Sequence, residues 1–505
     1  MSSQAKPSTS QQEQTAPNEN PYTMTEEILR KKYDQTDSGR FITQFSVAIV
    51  ASISAFSFGS LMEWSRIDMT FLRSYPKCYQ ELWSISLMPL GCSLAFTPSH
   101  YIIKNLGPKK TMIFVTPFYM LSFFMVIDTS IQISLKAAHF LTGFLGVIYL
   151  VSSENLLAGA VHRKNLVYVL ISMRLFISIG LLVSFISTRE LSASQSSIFC
   201  CSIPLINMLF AAMLPESPYF LYNTNKQKAF HALQWYRGQR NVYTALHYLE
   251  SDVKEQQTLS ENNKIILFSK SVIKAIALVT ITNFFKVFSG YFVFLLYDIS
   301  RNEPRVTVIS SYVDTIFYLT VIIVVNCFVY ITRSFINFGV RKPLILSSIV
   351  VTIALMVETT YLYSLHRNYV DESLSRKYGI QLIVTSSLVI GYSFGYETCP
   401  DILLREYLPY QVRLIAKGLT RTTYWLFIYL LLLFYVSTSS CQKQYVAFLS
   451  LSIISSIGIV FFYVFIIESK DKNLMLLQML MGGNPVGSRG GFRGRLDVTA
   501  FENAL

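Results

Sequence analysis

Twelve apolar segments, each near the length a helix needs to cross a lipid bilayer, divide this chain. They are Ile42–Trp64, Tyr79–Ile103, Thr111–Ser130, Ile133–Leu157, Tyr168–Thr188 and Ser196–Leu214, then Val272–Leu296, Val308–Ile331, Pro343–Leu365, Ile380–Thr398, Gly418–Ser437 and Val446–Ile467. Hydrocarbon offers no partner to backbone N–H and C=O groups, so segments of this length bond internally as helices. Only 14% of the residues are charged, and mean hydropathy is +0.40. A soluble domain carries about a quarter charged residues. The fold expected is an all-α membrane protein with twelve transmembrane helices in two six-helix halves.

The polar stretches give a domain plan. Residues 1–41 read as a tail, because Met1 to Met24 is mostly Ser, Gln, Thr, Pro and Asn. No apolar signal region precedes the first span. Residues 42–214 form the N-terminal half, 215–271 a polar loop with helical spacing around Ala229–Tyr236, 272–467 the C-terminal half, and 468–505 a second tail. Net charge is +13. In a soluble chain that points to nucleic acid, but here the bases sit in loops. Lys104, Lys109, Lys110, Arg163, Lys164, Arg333, Arg341 and Lys342 fall on one side, joined by Lys226, Lys228, Arg237, Arg240 and Lys254 of the long loop. Fewer lie opposite: Arg66, Arg73, Lys77, Arg367, Arg376 and Lys377. That bias places both termini and the loop in the cytoplasm, with a lipid bilayer rather than nucleic acid as partner.

Of the seven Cys, Cys92, Cys200, Cys201, Cys327 and Cys399 read as packing residues. Cys78 and Cys441 fall in outer loops, and sequence alone does not decide whether they pair. The chain shows no metal-ligand spacing, phosphate-binding glycine loop or supported catalytic triad. No enzyme, cofactor or metal is expected. His139, His162 and His231 stand alone and read as packing or loop residues. Gly490-Gly491-Phe492-Arg493-Gly494 reads as flexible tail.

A family resemblance rests on motifs in order. Pro215-Glu216-Ser217-Pro218-Tyr219-Phe220-Leu221 follows the sixth span, and Lys228-Ala229 through Arg237-Gly238 follows it. The second span carries Ser86-Leu87-Met88-Pro89-Leu90-Gly91. After the tenth come Arg405-Glu406-Tyr407-Leu408-Pro409 and Val412-Arg413, and after the twelfth Glu468-Ser469-Lys470-Asp471-Lys472-Asn473-Leu474. Together these resemble the sugar porter branch of the major facilitator superfamily, and within it the facilitated trehalose transporter-like group. The resemblance implies a plasma-membrane carrier that holds a hexose or trehalose-like sugar between its halves. It also implies a cytoplasmic gate at Glu216, Glu406, Arg413 and Glu468, with ion pairs between them.

The chain departs from that pattern where sugar would bind. Alignment on Gly180 and on Ser289-Gly290 puts Arg174, Lys286 and Val287 where the family has Gln, and Phe292 where it has Asn. Asp401 replaces the tenth-span Trp, while Trp425 of the eleventh is kept. The implied cavity residues are therefore Arg174, Lys286, Phe288, Tyr291, Phe292, Asp401 and Trp425. Sugars are gripped by groups that both donate and accept, and Arg and Lys only donate. Charge within a bilayer is costly and marks function. Glu397 lies one turn from Asp401 and shares its face. Two outcomes stand open: Asp401 pairs with a base and bridges the halves, or a ligand supplies the negative group. The functions consistent with this are a sugar carrier, a fold-retaining sensor without transport, and a carrier of an anionic or zwitterionic solute.

Overall fold

The computed structural model describes residues 41–72, 87–125, 132–239, 242–251, 253, 268–296, 311–335, 339–367, 369, 380–439, 444–468 and 474–481. Cys78, Cys441, both tails and part of the central loop lie outside them. The N-terminal half is α1 (Phe41–Leu72), α2 (Leu87–Leu106), α3 (Pro108–Phe124), α4 (Gln132–Ala160), α5 (Arg163–Glu190) and α6 (Ala193–Met213). Short helices α7 (Pro218–Thr224) and α8 (Lys226–Arg237) follow. The C-terminal half runs α9 (Lys270–Val287), α10 (Tyr291–Leu296), α11 (Ser311–Phe335), α12 (Arg341–His366), α13 (Ile380–Gly391), a π turn (Tyr392–Tyr396), α14 (Cys399–Tyr407), α15 (Tyr410–Ser439) and α16 (Gln444–Phe465). Helix α17 (Leu474–Leu480) closes the described chain.

Two expected spans are broken. The seventh bends between α9 and α10 at Gly290, whose φ of 81° places it in the left-handed region. The tenth changes from α13 to α14 through the π turn, and Pro400 sits in the first turn of α14. Apolar periodicity does not reveal either break, because both lie inside continuous apolar runs. A π insertion turns the helix and is enriched at functional positions. Here it sets the direction of Glu397, the residue that follows it.

Glycines set the helix crossings of the N-terminal half. A Cβ on Gly59 would lie 2.1 Å from the Ile177 carbonyl oxygen, and one on Gly180 2.3 Å from that of Phe56. The α1–α5 backbones therefore touch. Helices α2 and α4 do the same at Gly91 and Gly143. In the C-terminal half the closest partners are α12 and α16. Between the halves, α15 packs on α2 and α11 on α5. Those two pairs enclose the interface where the charged residues meet.

The central loop docks on the start of α1. Thr43 Oγ1 donates to the Tyr236 carbonyl at 2.7 Å, and the Tyr236 hydroxyl donates to that of Pro215 at 2.6 Å. Burial holds the Tyr236 phenol above its ordinary range.

One buried acid stands apart. Glu358 on α12 is fully buried, and neither carboxyl oxygen has a hydrogen-bond partner among the described residues. An unpartnered buried polar group costs stability. Glu358→Leu is therefore expected to leave thermal stability in detergent unchanged or raised, and a large loss would show that the carboxyl has a working partner.

Candidate functional site

Arg174 joins the two halves. Its side chain leaves the middle of α5, and its Nη1 lies 2.5 Å from Glu397 Oε1 while Nη2 lies 2.5 Å from Asp401 Oδ2. A planar guanidinium fork serves two carboxylates at once. Glu397 and Asp401 meet the same fork because they are one turn apart, either side of the junction between the π turn and α14. Lys286, from α9, brings Nζ to 3.3 Å from Glu397 Oε2 and 3.4 Å from the Glu397 carbonyl oxygen. Of the two open outcomes, the structure shows the first geometry: the Arg174–Asp401 pair forms, with Glu397 in it.

A second bridge connects other helices. Arg421 on α15 donates through Nη1 to Glu154 Oε2 on α4 at 2.8 Å. Lys417, one turn earlier on α15, lies 3.9 Å from the same oxygen. Asp401 is also within electrostatic reach of Arg421 and Lys417, so the two bridges form one field. A third crossing is uncharged: Asn326 Nδ2 on α11 lies 3.4 Å from Ser178 Oγ on α5.

Aromatic rings line the C-terminal side. The Lys286 ammonium sits 5.1 Å from the Tyr424 ring centroid and 5.7 Å from that of Tyr392. Tyr392 stacks on Tyr291 with centroids 3.9 Å apart and planes within 5°. Phe292 meets Tyr392 and Tyr424 edge-on. Trp425 meets Phe58 of α1 edge-on at 5.7 Å, a ring contact between the halves. Phe288 instead stacks on Phe284 within its own half. The geometry thus joins Arg174 to Asp401 directly and to Lys286 through Glu397. Tyr291, Phe292 and Trp425 form the surrounding wall, and Phe288 lies beside it.

Two acids of the expected gate meet backbone N–H groups at helix starts. Glu216 accepts from the backbone N–H of Lys109 at 2.9 Å and of Lys110 at 3.2 Å, at the start of α3. Glu468 accepts from Val340 N–H at 2.8 Å, just before α12. Bases reciprocate. Lys109 Nζ donates to the carbonyls of Ala212 and Leu214 at the end of α6, and Arg341 donates to Tyr463 near the end of α16. The two halves repeat one device: a carboxylate on a helix N-terminus and a base on a helix C-terminus. Gly107 and Gly339 precede the two starts, with φ of 88° and 73°. Arg413 donates to the carbonyls of Arg405 and Leu408, and Glu406 is exposed with no hydrogen bond or ion pair among the described residues. Glu216→Ala is expected to cost about 1 kcal/mol of stability, the worth of a lost helix-start acceptor. Glu406→Gln is expected to change nothing, and thermal unfolding of both variants checks the contrast.

Sequence reasoning missed Lys417 and Arg421. Lys417 immediately precedes the eleventh segment and Arg421 lies within its first turn. A signal existed: bases at Arg413, Lys417 and Arg421 recur every four residues, a stripe along one helix face.

A family model described as "Sugar (and other) transporter" matches residues 20–480. The chain belongs to this family. Among its relatives, the facilitated trehalose transporter Tret1 of Polypedilum vanderplanki is 24% identical over 452 residues, covering 87% of this chain and 88% of that one. Tret1 of Drosophila pseudoobscura pseudoobscura is 23% identical over 86% of this chain, which spans only 50% of that relative. The inward-open xylose transporter XylE from E. coli superposes with a TM-score of 0.72 at 15% identity, covering 86% of this transporter and 99% of XylE. The proton:xylose symporter XylE bound to 6-bromo-6-deoxy-D-glucose gives 0.66 at 14% identity, over 87% and 99%. These likenesses establish the major facilitator fold, a multi-pass membrane architecture of two helical halves.

Proposed function

We propose that this transporter carries a sugar across the plasma membrane by alternating access, with both termini and the central loop in the cytoplasm. The observation that carries the reading is the bridge of Arg174 to Glu397 and Asp401, which ties the halves beside an aromatic wall. Arg174 lies eleven residues into α5, about 16 Å from the helix start at 1.5 Å per residue. That is near the bilayer midplane, where carriers of this architecture hold substrate. Paired charges answer the chemical difficulty of a sugar site without the family's Gln residues. The bases donate and the carboxylates accept, so both halves of a hydroxyl's hydrogen bonding are present. An entering sugar would exchange its hydroxyls for contacts of the bridge. The relatives named for trehalose and the fold neighbour that carries xylose favour the same substrate class.

Reconstitution tests this. Purified protein in liposomes preloaded with unlabelled sugar is expected to accumulate radiolabelled trehalose or glucose by counterflow, saturably. Protein that binds a sugar yet shows no counterflow would fit a sensor and overturn the carrier reading.

A further inference from the structure

The bridges between the halves do not balance. Among the described residues, Arg174, Lys286, Lys417 and Arg421 share three acids, Glu154, Glu397 and Asp401. Glu397 serves both Arg174 and Lys286. Glu154 serves both Arg421 and Lys417, through one oxygen. The excess positive charge falls on Lys417. Its Nζ is 3.9 Å from an oxygen that already takes Arg421 at 2.8 Å, and it makes no hydrogen bond among the described residues. Its side chain is 45% exposed, so the ammonium is open to an incoming group. Arg405 adds further positive field at Lys417. Two bases sharing one carboxylate oxygen leave positive charge between the halves, and an incoming anion offsets it.

The helix that carries the excess also carries the ring platform. Lys417, Arg421 and Trp425 are spaced by four residues along α15 and share a face. Arg421 and Trp425 are about 6 Å apart along the axis. That spacing suits a molecule with a carboxylate at one end and a pyranose ring at the other.

We propose that the solute of this site is a carboxylate-bearing sugar, such as a hexuronate, rather than a neutral one. Its carboxylate sits on Lys417 and Arg421 in place of Glu154, and its ring packs against Trp425. This inference rests on the carrier reading for the location of the solute and adds its charge. In binding, the carboxylate of the solute takes over the Arg421 contact that joins α15 to α4, so occupancy loosens the second bridge.

Calorimetric titration of the purified protein with glucuronate and with glucose tests it, alongside uptake of both into liposomes. Glucuronate is expected to bind about tenfold or more tightly than glucose, the discrimination worth of one charged hydrogen bond. Lys417→Met is expected to shrink that preference about tenfold, and Lys417→Arg to keep it. Equal or tighter binding of glucose overturns the inference, as does a preference that survives Lys417→Met. Acceleration of glucose uptake by inorganic phosphate, without binding of glucuronate, also overturns it, since the anion is then a separate ion. Selective glucuronate binding without uptake supports the inference while removing the carrier reading. Glucose uptake without any acid preference does the reverse.

Discussion

Replacing Arg174 by Gln is expected to destabilise the folded transporter by about 1–2 kcal/mol and to loosen the contact between the halves at this bridge. A fully buried pair broken on one side costs more, but these side chains are 22–44% exposed and water screens them. Two acids lose their shared partner. Glu397 keeps Lys286, whereas Asp401 keeps no ion-pair partner among the described residues and only the more distant field of Arg421, Lys286 and Lys417. Asp401→Asn in the same background is therefore expected to restore part of the loss, because the stranded charge is gone. Thermal unfolding followed by reaction of the buried thiols Cys92, Cys200 and Cys201 reads both effects. Additive losses in the double variant would show that Arg174 and Asp401 do not act as a pair.

The glycine crossings carry a larger cost. Gly91→Ala would drive a methyl group to 2.2 Å from the Phe140 carbonyl oxygen, and Gly143→Ala one to 2.2 Å from that of Met88. Both obstacles are backbone, so α2 and α4 must move apart. Overpacking of this kind costs about 1–3 kcal/mol per site. The double variant is expected to lose most of its folded yield. Gly418→Ala is the control, because nothing lies within 4 Å of its Cβ position. Normal yield from the double variant, judged by size-exclusion of solubilised protein, would contradict the close approach.

The spans were legible because apolar length is a one-dimensional property. The bends at Gly290 and at the π turn were not, since they interrupt no apolar run. The cavity was half legible. Arg174, Lys286 and Asp401 declare themselves as charges inside apolar segments, and Glu397 follows from helical spacing. Lys417 and Arg421 were not legible as site residues, because they lie at the edge of an apolar segment where bases are common. Their role depends on Glu154, 267 residues away from Arg421 in the chain, and only the fold brings them together. The gate motifs did not reveal the backbone partners of Glu216 and Glu468. Acid and base motifs suggest salt bridges, but helix starts and ends offer competing partners in the backbone itself.

Distances between spin labels at the two ends of the molecule test the central claim, that the halves alternate about a midplane bridge. One pair is placed at Asn105 and Glu406, exposed on opposite halves near the ends of α2 and α14. The other is placed at Glu190 and Arg367, exposed at the far ends of α5 and α12. On adding transported sugar, the account predicts reciprocal changes, one pair lengthening as the other shortens. Distances that stay fixed at both ends, or that lengthen together, would contradict alternating access.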